Sequence, residues 1–288
     1  MSAAPLVTEG LGRPIKGPSA LGSDFRRFRQ LTWTLAVTDF RLRFFGSVLG
    51  YLWQFMRPLM LFGVLYVVFS QIFDLSGGVR FYPVALLLGI VLYGFFAEAT
   101  SGSVRSLVDR ENLVRKIEFP ILAVPLATVL TALFNLGLNL ITVLVFLLAA
   151  GGRPHWSWLE LVPLIAVLAT FATGVAMVLS SLFVRYRDIE PIWDVVLQIL
   201  FYVSPIIYML QTVTDKGGIG ATRAILCSPF AAILQQARHA FIDPSHISVT
   251  DAMGNDLLLL VPLAIVVVVF VMGFVVFDRA APRIAENL

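Results

Sequence analysis

Nucleotide hydrolysis by this chain would need a glycine-rich loop ending in Lys-Ser or Lys-Thr, so that backbone N–H groups and an ammonium surround the phosphates. The lysines are Lys16, Lys116 and Lys216; the first and last stand beside glycine, and neither precedes serine or threonine. His155, His239 and His246 show no metal-binding spacing, and no His-Glu-x-x-His occurs. One cysteine, Cys227, excludes an internal disulfide framework. No Ser/His/Asp set stands out. The expectation is no catalytic residue, no metal site and no cofactor bound by this chain. Charges inside apolar stretches are costly in lipid and are the next place to look for chemistry. They are few: Arg57, Glu98 and Asp194. Glu98 reads as a side chain hydrogen-bonded within a helix bundle, with a proton or ion site as the other reading.

The elements that would position these residues are membrane helices. Of the 288 residues, 58% are hydrophobic and 14% charged, and the mean hydropathy is +0.88. A soluble domain carries about a quarter charged residues, so a soluble enzyme and a disordered chain are both excluded. A bilayer core takes about 20 apolar residues as helix. Six stretches qualify: Gly50 to Phe73, Tyr82 to Val104, Ile121 to Ala150, Leu161 to Val184, Ile192 to Leu210 (short, and broken by Pro205) and Leu257 to Phe277. The first 22 residues are rich in Gly, Pro and Ser with no apolar core, so no cleavable signal is expected.

With the N-terminus inside, the cytoplasmic segments hold 15 Lys and Arg and the outer loops five. That bias places both termini in the cytoplasm. In a membrane protein the net charge of +3 need not mean nucleic acid; where the charges sit matters more.

Between Asp24 and Phe45, Phe28, Leu31, Leu35, Leu42 and Phe45 share one helical face, and Arg26, Arg29 and Arg43 point away from it. This predicts an interface helix with its apolar face in lipid and its arginines toward lipid phosphates. The linker at 105–120 reads as a short mixed-charge cytoplasmic helix, with Ser106 and Asp109 in capping-box spacing and Pro120 as its stop. Residues 211–256 are too long for a turn and too polar for two spans, which predicts an outer or re-entrant helical hairpin. Tyr51, Tyr66, Tyr93, Tyr202 and Tyr208 lie in or at the ends of spans. They are candidates to line a translocation path, against the alternative of a headgroup belt.

Five runs carry a resemblance: FGSVLGYLWQFMRPL at 45–59, NLVRKIEFP at 112–120, RYRDIEPI at 185–192, SPIIY at 204–208, and SPF at 228–230 followed by Arg238. From about Asp24 to Arg279 the chain resembles the membrane subunit of ABC-2 type polysaccharide exporters, the group that exports lipid-linked O-antigen, teichoic acid or cell-wall galactan. In that family the stretch around Ser228 more often reads Asn-Pro.

The resemblance implies a homodimer in the inner (plasma) membrane with two copies of a separate cytoplasmic ATPase, which alone would use ATP and Mg. It implies a cargo on an undecaprenyl-type lipid pyrophosphate. It also implies a channel at the dimer interface, closed outside by the hairpin, with Pro205, Ser228, Pro229, Phe230 and Arg238 as outer gate residues. ATPase coupling is expected at Arg110, Glu111, Asn112, Leu113, Arg115, Lys116 and Glu118, and more weakly at Arg185, Arg187 and Asp188.

The expected fold is an all-α integral membrane protein: a flexible tail at 1–23, the amphipathic interface helix at 24–45, six transmembrane helices with the re-entrant hairpin between spans five and six at 46–279, and a short tail at 280–288. A permease for a small hydrophobic drug or lipid stays open as a second reading. A membrane transferase acting on lipid carriers is a third, lacking the polar cluster it would need.

Overall fold

Long runs of Leu, Val, Ile, Phe and Ala satisfy their backbone polar groups in lipid only as helix. The computed structural model describes residues 20–21, 24–44, 48–72, 81–114 and 119–287, and among them every regular element is helical. Helix α1 (Phe25–Phe44) is followed by α2 (Val48–Tyr66), which continues through a wider turn at Val67–Ile72. Helix α3 (Tyr82–Asp109) leads to a single turn, α4 (Glu111–Val114), then to α5 (Ala123–Ala149). A tight turn at Trp156–Glu160 opens α6 (Leu161–Arg185), and α7 (Ile189–Val203) follows. Next come α8 (Leu210–Leu226), α9 (Pro229–Ala237) with an extension at Arg238–Ile242, α10 (Val249–Met253) and α11 (Asp256–Asn287).

Four stretches among the described residues are long and apolar enough to cross a membrane: Tyr82–Asp109, Ala123–Ala149, Trp156–Arg185 and Leu257–Ile284. They are the second, third, fourth and sixth expected spans. At the first, the apolar part of α2 is the shorter stretch Phe55–Phe69, with Pro58 inside the helix. At the fifth, the helix stops early. Ser204 has φ −73 and ψ 146, because a residue before proline is pushed out of the helical region. Residues 204–207 then run as a buried, non-helical segment. Where the hairpin is expected, α8 and α9 form a bent pair that meets at 109°. Helix α8 is itself interrupted at Gly218, whose φ of 73 suits glycine.

Helix α3 is the centre, packed against α2, α5, α6 and α7. Its first half is buried nearly all round, from Tyr82 through Leu92 to Phe95 and Phe96. Helix α6 lies between α3 and α11. A side-chain carbon on Gly174 would come within 2.8 Å of the Phe270 backbone, and one on Gly273 would strike the Gly174 carbonyl oxygen. The two backbones touch, as small residues allow between membrane helices. Hydroxyls inside the spans bond their own helix: Thr100 donates to the Phe96 carbonyl, and Ser103 to that of Ala99, each at 2.7 Å. Leu257, Leu260, Leu263, Val267, Val268 and Val271 of α11 face outward, exposed.

Two local expectations change. Phe28, Leu31 and Leu35 pack against a core containing Phe119, Ile121 and Val124, and Trp33 and Phe40 set their ring edges on Phe134 of α5. Much of the α1 apolar face thus meets protein instead of lipid, because α5 offers it a matching apolar surface. Leu42 stays exposed, and Phe45 lies outside the described residues. Ser106 does not cap a linker helix: α3 runs on to Asp109, and the Ser106 hydroxyl donates to the Ser103 carbonyl at 2.8 Å. At the chain ends, Ala20 is buried and its carbonyl accepts from the Leu122 N–H at 3.0 Å. Residues 280–287 continue α11, with Ala281 and Ile284 buried.

Candidate functional site

The two ends of α3 carry two unlike clusters. At the Tyr82 end the central side chain is Arg238, fully buried at 0% exposure. It projects from the extension of α9 into the space between α3 and the 204–207 segment. Its Nη2 donates to the Ile206 carbonyl at 2.8 Å and its Nε to the Ala85 carbonyl at 3.4 Å. The Tyr82 hydroxyl donates to the neighbouring Ile207 carbonyl at 2.7 Å. Gly89 leaves the guanidinium room: a side-chain carbon there would sit 3.4 Å from Arg238 Nη2 and 3.3 Å from Ile206.

Of the residues expected as an outer gate, Arg238 bonds the carbonyl next to Pro205, while Phe230 lies further along α3. Pro205, Pro229 and Phe230 are buried, and Phe230 lies against Tyr93 and Phe96. Ser228 is half-buried and makes no side-chain cap for α9. His246, in the turn after this extension, is 1% exposed and its ring nitrogens have no partner among the described residues. Burial pushes its pKa down to about 4, helped by the Arg238 charge, opposed by Asp243, and lowered further by His239.

At the Asp109 end the charges are paired and partly wet. Arg43 of α1 pairs with Glu98 of α3, and Asp39 of α1 pairs with Arg110. The Asn135 amide of α5 donates to Glu98 at 2.6 Å. Glu98 is therefore a hydrogen-bonded, ion-paired side chain within the bundle. Together these contacts fasten α1 to the lower half of α3. Between them lies a cavity of about 480 Å³ lined by Asp39, Leu42, Arg43, Gly102, Ser106, Asp109, Arg110, Thr128 and Thr131. A second hollow of about 220 Å³ is lined by Arg105, Val108, Asp109, Phe183, Arg187 and Glu190. There Arg105 of α3 pairs with Glu190 of α7 at 2.6 Å. The Arg187 guanidinium sits 4.9 Å from the Phe183 ring centre.

The structure thus brings the two expected coupling stretches to one end of the bundle. Glu111 and Leu113 are half-buried and Asn112 is exposed; Arg185, Arg187 and Asp188 are exposed. Arg115, Lys116 and Glu118 lie outside the described residues. On α1, Arg26 and Arg29 are exposed.

The five tyrosines do not form one set. Tyr93 donates to the Leu197 carbonyl at 2.9 Å and Tyr208 to that of Val203. Tyr66 stacks on Phe62, and Tyr202 is 61% exposed on α7. The Tyr51 side chain lies outside the described set. Asp194 is exposed on α7.

Asp39, Asn135, Arg105 and Glu190 were not singled out from sequence. Asp39 and Arg43 had one signal, opposite charges four apart on one helical face. The others had none, since their partners sit 37 to 85 residues away.

Comparison with known proteins gives a consistent picture. The family described as ABC-2 type transporter matches residues 30–242. The O-antigen export system permease protein of Klebsiella pneumoniae is 26% identical over 255 residues, covering 87% of this chain and 92% of its own length. That of Myxococcus xanthus is 25% identical over 217 residues, covering 75% and 82%. The polysialic acid transport protein of Escherichia coli is 23% identical over 221 residues, covering 74% and 81%.

Proposed function

The chain belongs to the ABC-2 type transporter family, and from that we propose that it is the membrane subunit of an ATP-driven polysaccharide exporter. The observation that carries this reading is the near full-length similarity to a permease named for O-antigen export, supported by a second relative named for polysialic acid transport. The chain works as a homodimer with two copies of a cytoplasmic ATPase, and the cargo is a polysaccharide on a polyprenyl pyrophosphate. A phosphate-cradling loop is missing from its sequence, so the nucleotide is hydrolysed by the partner.

In this reading six helices cross the inner membrane, α2 and α7 completing the four longest, and both termini are cytoplasmic. The Asp109 end of α3 then faces the cytoplasm and the Arg238 cluster faces outward. The α4 turn and the α6–α7 turn meet the ATPase: both carry exposed polar residues, and the Arg105–Glu190 pair ties the end of α3 to the start of α7. The α7 face bearing Ile192, Val195, Ile199, Tyr202 and Val203 is exposed and apolar, which suits a second copy of the chain or the polymer. Tyr202 is the path residue this exposure favours. Tyr93 and Tyr208, held by backbone carbonyls, support the wall. The α8–α9 pair closes the outer end as a re-entrant unit locked by Arg238.

The test is reconstitution of the chain with its ATPase in vesicles, with lipid-linked glycans supplied on the ATPase side. ATP-dependent appearance of glycan on the opposite face is expected. Transport of small hydrophobic drugs with no glycan movement overturns the proposal in favour of a drug permease.

A further inference from the structure

We propose that Asp194, Gln198 and Tyr202 form one polar line on α7 that borders the polysaccharide path, and that its carboxylate favours a polymer without regular negative charge over a polyanion. The inference rests on the reading above, in which α7 crosses the membrane of an exporter, and it names the cargo class which that reading leaves open.

The line follows from helix geometry. At about 3.6 residues per turn, side chains four apart advance by only about 40° around the axis. Asp194, Gln198 and Tyr202 are spaced in this way within one helix, Ile189–Val203, so they cover about 80° of its circumference. All three are exposed. Ile192, Val196, Ile199 and Val203 occupy the next arc and are exposed as well. The opposite side is packed: Leu197 belongs to the main core, and Trp193, Leu200 and Phe201 lie against it. Two hydrogen bonds fix the rotation of the helix. Trp193 Nε1 donates to the Thr100 hydroxyl at 3.0 Å, and the Tyr93 hydroxyl donates to the Leu197 carbonyl at 2.9 Å. The exposed arc of α7 therefore has a polar edge and an apolar edge, held in place by α3.

Asp194 and Gln198 have no side-chain partner among the described residues. Glu190, one turn earlier, is taken by Arg105. Arg57 of α2 is the other exposed charge in the expected spans, and none of the ion pairs among the described residues joins it to Asp194. A carboxylate facing hydrocarbon is costly, so the polar edge belongs beside water or a polar occupant, and the apolar edge suits lipid or protein. A glycan is such an occupant. Its hydroxyls donate to the Asp194 carboxylate, the Gln198 amide both donates and accepts, and the Tyr202 ring offers a face to a sugar. Charge then sets the preference. Two copies of the chain bring two Asp194 carboxylates to one path, where walls of low dielectric strengthen the repulsion of a negative unit. A polymer with a carboxylate on every sugar meets that repulsion at each step, and a neutral one does not.

The experiment uses the complex with its ATPase in nanodiscs, in a Cys227→Ala background, with labelling read on this chain by mass spectrometry. Gln198→Cys and, independently, Tyr202→Cys should react with water-soluble methanethiosulfonates on the order of tenfold faster than Val196→Cys or Ile199→Cys, since the thiol must reach water to react. Equal rates on both edges overturn the line. At Gln198→Cys a cationic reagent should outpace an anionic one on the order of tenfold, relative to their rates with free cysteine, and Asp194→Asn should bring that ratio toward one. A ratio that ignores Asp194 overturns the selection. In sealed vesicles, polyprenyl-pyrophosphate-linked glycans of equal length, one neutral and one with a carboxylate on each sugar, are then offered to the same ATPase. Asp194→Asn should raise export of the anionic glycan relative to the neutral one several-fold; an unchanged ratio overturns the selection. Glycan export with no difference between the edges sinks the line and leaves the exporter standing. A labelled polar edge with no glycan moved by the wild type overturns the exporter reading, and the cargo selection with it.

Discussion

Both ends of α3 hold an arginine in contact with a neighbouring element, yet they solve the cost of that charge in opposite ways. Arg238 is sealed from solvent and held by backbone carbonyls of Ile206 and Ala85. A buried guanidinium bonded to main-chain carbonyls resists displacement, and removing it takes the donor from the buried Ile206 carbonyl. Arg43, Arg105 and Arg110 face carboxylates and stay partly in water. Such pairs cost little to break and re-form. One end is built to hold a shape; the other is built to shift. In the proposed exporter, that is the division of labour needed if the Arg238 end closes the path and the Asp109 end receives the ATPase stroke.

The largest effect should follow from breaking the rigid end. Arg238→Met keeps the bulk and removes the donors. It should lower stability by about 3 kcal/mol, from two lost charge-assisted bonds, seen as loss of monodisperse protein in detergent and a lower Tm. An unchanged Tm would mean that the carbonyls find other partners and that this end is not locked.

Acid should sharpen the same contrast. His246 titrates at about 4 when folded, against about 6.5 when unfolded. Below the unfolded value the unfolded chain binds the proton and the folded chain does not, so stability falls as pH drops from about 6.5 toward 4, by about 2 kcal/mol at pH 5. His246→Gln should flatten that slope in thermal unfolding across this window. A wild-type protein with no slope there would place the imidazole in contact with water.

At the adjustable end the effects should be smaller. Glu98→Arg sets like charges beside Arg43 and should cost about 1 kcal/mol, with partial recovery in the Arg43→Glu/Glu98→Arg double variant. A double-mutant cycle on Tm measures this, and exact additivity would show that the two side chains do not interact. Smallest of all, Glu190→Gln should shift Tm by less than about 0.5 kcal/mol in stability terms, since Arg105 is 59% exposed. Its effect should appear instead as export lost relative to ATP hydrolysed.

Much of this architecture was legible in the sequence. Uncharged runs give membrane helices whatever their neighbours, and proline after Ser204 and Ser228 marks the breaks through the backbone alone. The cluster around Arg238 was reached through family motifs, Pro205 and Phe230 among them. Pairings between helices were not legible. A helix that is apolar all round, such as α3, does not announce which face meets which partner. So Glu98 stood out as a costly charge, but Arg43 and Asn135 as its partners did not. The fate of the α1 apolar face was hidden for the same reason: Phe28 and Leu35 read equally well against lipid or against α5.

The central claim is that the Asp109 end receives the ATPase stroke and the chain turns it into polysaccharide movement. It is tested most directly by measuring ATP hydrolysis and glycan export in the same vesicles for wild type and for Arg187→Glu, an exposed charge on the α6–α7 turn. The account predicts that hydrolysis persists while glycan exported per ATP falls on the order of tenfold, as for loss of a contact worth about 1.4 kcal/mol. An unchanged ratio, with the complex assembled normally, would contradict it.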